Sequence, residues 1–307
     1  MSSDLRVVSL LPSATEIAVA LGLEPNLVGR SHECDFPNFV RDLPVCTSTK
    51  LEKGLQSDEI DKRVQEIVRQ GLSVYEVDTP LLQSLAPDVI LTQSQCAVCA
   101  VTPDDLEEAL ATWIGKKPQL ISLAPDNLDD VWGDFRKVGD AVDRPEKAEQ
   151  AIERLQKSLD GMTAGDAPRP TIAAIEWMEP LMVAGNWVPE LIEIAGGKSL
   201  FATAGQHSPW LEWDALLASD PDKIIFMPCG YQIGQTVAEM PAMVKHPHWA
   251  RLSAVRNGEV FLADGHHFFN RPGPRLVESA KIIADILYAD PANNGDLSKG
   301  WIRWTGE

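Results

Sequence analysis

Short apolar runs bounded by proline, glycine or aspartate alternate along the chain with longer stretches whose apolar residues recur at helical spacing. The runs predict strands over residues 6–11, 89–92, 119–122, 171–175, 223–227 and 259–262. The helical stretches are 14–21, 57–70, 103–113, 127–142, 189–195 and 274–288. Regular alternation of this kind predicts an α/β protein with mostly parallel sheets. One element interrupts it. Residues 145–159 read PEKAEQAIERLQKSL, with Pro145 suited to a first helical position, and a loop-like stretch follows before the strand at Thr171. The expected organisation is two Rossmann-like lobes bridged by one long helix. The lobes are residues 1–143 and 164–290, the helix 144–163, and a polar tail over 291–307 is anchored by Trp301 and Trp304.

Composition narrows the partners. A chain of 307 residues is long enough for about two domains. Its 45 acidic and 27 basic residues leave a net charge of −18, which argues against nucleic acid and against docking on an anionic membrane. No window approaches the roughly 18 apolar residues of a spanning helix, so membrane insertion is not expected. The first residues, MSSDLRVVSLL, resemble no secretory signal, and five cysteines do not suggest a disulfide framework. The expected compartment is the cytoplasm, or the periplasm if a leader precedes this sequence.

In open α/β sheets ligands bind beyond the carboxyl ends of strands, and here those segments are polar and aromatic. The first lobe offers Ser13, then Ser31, His32 and Glu33, then Gln93 and Gln95. The second offers Glu176, Trp177, Trp187, Trp210, Tyr231, His267, Phe268 and Arg271. Ser13 and Glu16 have capping-box spacing, and exposed amides at such a helix start also suit a ligand carboxylate or phosphate. Cys96-x-x-Cys99, with Cys34 and His266 or His32, has the residue types of a zinc or iron site, though reduced thiols are the plainer reading. A third possibility is a hydrolase-like enzyme using His32, Glu33 or Cys34. Against it, neither G-x-S-x-G nor H-E-x-x-H occurs.

Several blocks resemble a known family. RVVSLLPSATEIAVALGL (6–23), LVGRSHECDFP (27–37), LAPDVILTQ (85–93), PEKAEQAIERL (145–155), NWVPELIEIAGG (186–197), ASDPDKIIF (218–226) and RPGPRLVESAKIIADIL (271–287) occur in order over nearly the whole chain. Together they look like the cobalamin-type substrate-binding proteins of ABC importers. The resemblance implies two lobes on one rigid helix and a corrinoid, or related metal-tetrapyrrole or chelate, held by post-strand loops without catalysis. It implies aromatic packing on the ring from Trp177, Trp187, Trp210, Tyr231 and Phe268, with polar contacts from Ser31, His32, Gln93, Gln95 and Arg271. An ABC permease would be the partner, met by one carboxylate on each lobe. Glu212 or Asp214 suits the second lobe, whereas Asp78-Thr79-Pro80 stands where the first lobe's glutamate is expected.

Overall fold

The computed structural model describes residues 5–52, 54–70, 73–94, 101, 106, 110–111, 113–162, 169–290 and 292–306. It divides into two compact units. The first holds residues 1–55, 59–125 and 129–154; the second holds 56–58, 126–128 and 155–307.

Among the described residues the chain's order begins β1 (Val7–Ser9), α1 (Pro12–Ala20), β2 (Leu27–Arg30), β3 (Thr47–Thr49), α2 (Ser57–Arg69), β4 (Tyr75–Val77), α3 (Thr79–Ser84), β5 (Val89–Gln93), β6 (Gln119–Leu123), α4 (Leu128–Ala141) and α5 (Pro145–Asp160). In the first unit β2-β1-β5-β6 form an all-parallel sheet, as the continuous apolar runs predict, and β3 pairs antiparallel with β4. Val8, Leu10, Leu82, Ile90 and Leu106 are fully buried in its core. Helix α5 runs 16 residues, roughly 24 Å, and the boundary between units falls inside it, after Arg154.

The second unit continues with β7 (Thr171–Trp177), β8 (Met182–Val183), α6 (Val188–Ile194), β9 (Lys198–Ser199), α7 (Trp213–Ser219), β10 (Lys223–Phe226), α8 (Ile233–Lys245), α9 (Ser253–Arg256), β11 (Val260–Ala263), α10 (Leu276–Leu287), β12 (Gly295–Asp296) and β13 (Trp301–Arg303). Its sheet runs β12-β13-β11-β10-β7-β8, with β9 beside β7. The β7-β10-β11 centre is parallel, and the flanking β8, β12 and β13 are antiparallel. Ile175, Ile224, Phe226 and Leu262 fill one side of it.

Two expectations are corrected. The stretch 291–307 is not a tail: Trp301 is 1% exposed and packs edge-on to Phe261 at 5.8 Å, so its indole closes the sheet. Ser13 and Glu16 form no capping box. Pro12, with φ preset for a first helical turn, starts α1 one residue before Ser13, and Leu11 becomes the cap.

Candidate functional site

On the first unit, the residues after β1 and β2 mostly satisfy one another. Thr15 Oγ1 lies 2.8 Å from Ser9 Oγ and 3.1 Å from the Cys34 sulfur, and the Cys34 thiol donates to the Ser9 carbonyl at 3.8 Å. Cys34 is fully buried. Burial keeps the Cys34 sulfur from acting as an exposed nucleophile. Ser31 is buried and takes a hydrogen bond from the Thr47 hydroxyl at 3.2 Å. His32 places Nδ1 2.8 Å from that same Thr47 oxygen. Burial, then the nearby Arg30 charge, holds the His32 pKa below its usual value, so the ring is neutral near pH 7. Glu33 donates its backbone N–H to Ser31 Oγ at 3.3 Å, which braces the turn. Gln93 ends β5 and is buried. Gln95, Cys96 and Cys99 lie outside the described residues.

On the second unit, the strand ends carry aromatic and titratable groups in partly exposed positions. Glu176 and Trp177 finish β7, both half-buried. Trp177 meets Tyr231 edge-on at 5.7 Å. Tyr231 itself is 4% exposed and donates its hydroxyl to Glu239 at 2.7 Å. Trp187 is likewise buried, with its indole N–H given to the Phe269 carbonyl at 2.9 Å. Neither presents a ring face, so the expectation of stacking from these two is corrected. Tyr231 backs Trp177, and Trp187 holds the turn that carries Phe268. Trp210 is 59% exposed and bridges to Met182 at the β8 edge.

After β11 the chain turns through a π-helical Gly265–Phe269 segment. Asp264 caps this turn: its carboxylate takes the His267 backbone N–H and Nδ1–H, both at 2.8 Å. Carboxylate anchoring of Nδ1 fixes the His267 tautomer and ring orientation. His266 accepts at Nε2 from the buried Arg271 guanidinium at 3.0 Å. Only glycine fits at 265, since a Cβ there would sit 2.1 Å from the Pro228 carbonyl. The half-buried Phe268 lies under the Arg275 guanidinium and against Gly300, so the strands at the chain's end help seat it. A further cluster stacks His246 on Trp213 at 3.9 Å and pairs His248 Nε2 with Asp214 at 2.8 Å.

Sequence reasoning missed Thr47, Ser208 and Asp264. The Asp-x-x-His spacing of 264–267 was a readable cap signal; Thr47 and Ser208 had none.

The sequence pattern of the periplasmic binding proteins matches residues 7–266. The chain belongs to this family. It is 22% identical over 296 residues to an uncharacterized ABC transporter substrate-binding lipoprotein, YvrC, of Bacillus subtilis, covering 93% of this chain and 80% of that one. It is 25% identical over 290 residues to the vitamin B12-binding protein of Photorhabdus laumondii, covering 93% and 89%. A solved periplasmic heme binding protein from Pseudomonas aeruginosa superposes with a TM-score of 0.66 at 21% identity, covering 92% of each chain. Membership of the family agrees with the resemblance seen in the sequence blocks.

Proposed function

We propose that this protein is a non-catalytic binding protein for a corrinoid or a related metal-tetrapyrrole. One observation carries the reading. At the strand ends of the second unit, half-buried Trp177 and Phe268 stand with Glu176 and the Asp264–His267 pair. Flat aromatic faces suit a large planar ring, and a few fixed polar groups suit its rim. Affinity would come from burying that ring against side chains already held in place. Vitamin B12 and heme, the ligands named for two similar proteins, both fall in this class.

An ABC permease is the partner this reading favours, supported by the transporter lipoprotein among the relatives. Asp214, its side chain 91% exposed at the start of α7, is the docking carboxylate we assign on the second unit. The function is tested by titrating the protein with cyanocobalamin, dicyanocobinamide and hemin, followed by absorbance and calorimetry. Saturable one-to-one binding of at least one ring is expected. Binding of none of the three overturns the proposal.

A further inference from the structure

The end of β7 departs from a regular ladder. Ile175 pairs with Val183 and Trp177 with Met182, so Glu176 is an extra residue with no partner on β8. A bulge of this kind re-aims a side chain, and bulges recur beside functional sites. Here the surrounding structure holds the re-aimed carboxyl in place. The Glu176 carbonyl takes the Cys229 N–H at 2.9 Å from the end of β10. Ser208 Oγ takes the Gly185 N–H at 3.0 Å, which leaves its one proton for the Glu176 carboxyl. Gly185 makes this possible, because a Cβ there would lie 2.6 Å from the Gln206 carbonyl and 2.7 Å from Ser208 N.

We propose that Glu176 is a specificity residue that admits ligands with an uncharged amide rim and penalises ligands with a carboxylate rim. The inference rests on the binding function proposed above. A corrin carries amide side chains, whereas heme carries two propionates. An amide satisfies either form of Glu176: its carbonyl accepts from the acid, and its N–H donates to the carboxylate. A ligand carboxylate is accepted only while Glu176 keeps its proton, since two adjacent carboxylates repel. Burial pushes the Glu176 carboxyl up to about 7, against the Ser208 hydrogen bond and the His207 charge, which both pull it down. The choice between the two forms therefore falls in the neutral range. Among the described residues, Ser208 and His207 from the 200–210 loop are the groups that act on this carboxyl, while Cys229, beyond β10, meets the Glu176 backbone carbonyl through its N–H.

The test measures hemin and dicyanocobinamide affinity from pH 6 to 8.5 for the full chain, Glu176→Gln and Ser208→Ala, with thermal unfolding as a fold check. Hemin affinity should fall by about tenfold per pH unit above the Glu176 midpoint, while cobinamide affinity stays nearly level. Glu176→Gln should flatten the hemin profile and narrow the preference for cobinamide at pH 8. Ser208→Ala removes a bond to the ionised form, so it should move the hemin midpoint upward. Parallel profiles for the two rings, or a hemin profile unchanged in Glu176→Gln, would overturn the specificity role and leave the binding function standing. Absence of binding by every ring would remove both.

Discussion

The two units treat the polar residues beyond their strand ends in opposite ways. In the first, Ser9, Thr15, Cys34, Ser31, Thr47 and His32 bond to one another and are largely buried. In the second, Glu176, Trp177, His267 and Phe268 are half-buried, and their anchors (Ser208, Tyr231, Asp264, Gly300) lie behind them. A self-satisfied network rigidifies a turn and presents little to a ligand. Side chains locked from behind and open in front are what a binding surface needs. We therefore locate stability in the first set and recognition in the second.

The comparison breaks most visibly at Gly265. Gly265→Ala drives a methyl into the Pro228 and Met227 carbonyls and should cost about 3 kcal/mol of stability together with ring binding. Calorimetric unfolding and titration of the same sample check it. Trp177→Ala comes next, with an expected affinity loss of about 30-fold, roughly 2 kcal/mol, and a smaller effect on the unfolding temperature. Thr15→Val, in the first unit, should do the reverse. It removes the contacts to Ser9 and Cys34, costs about 1–2 kcal/mol in denaturant unfolding, and leaves ring affinity unchanged.

A smaller effect separates the units by pH. Among the described residues, one acid in each unit is raised by burial to about 7: Asp134 on α4 in the first, Glu176 in the second. Asp134 is 6% exposed, and its Oδ2 has no hydrogen-bond partner. Because these folded pKa values lie above the unfolded ones, the folded state binds protons more tightly. The cost of burying each charge is fully present above pH 7 and declines as pH falls toward 4. Stability should rise by about 1 kcal/mol per acid between pH 8 and pH 6. Asp134→Asn and Glu176→Gln should each remove one share, and only the second should alter the pH dependence of hemin binding.

The alternating architecture was legible because buried parallel strands are continuous apolar runs. The expected strands at 89–92 and 223–227 differ from β5 and β10 by one residue. Elements lacking that signature escaped. Helix α8 carries Gly234 and Pro241, which read as breakers, and tertiary packing of Ile233, Met240 and Met243 overrides them. Strands β12 and β13 are too short for a pattern, and it is the burial of Trp301 that sets them in the sheet. Site candidates were legible as residue types but not as orientations. Trp187 and Trp210 have the same side chain, yet one is buried against the Phe269 carbonyl and the other lies open. The setting of Glu176 depends on Ser208, 32 residues away, and on a bulge that no local motif announces.

The most direct test of the account is one calorimetric titration of dicyanocobinamide into the full chain, Trp177→Ala and Thr15→Val at pH 7. The account predicts one-to-one binding that Thr15→Val retains and Trp177→Ala weakens by about 30-fold. Equal affinity in all three proteins, or loss confined to Thr15→Val, would contradict it.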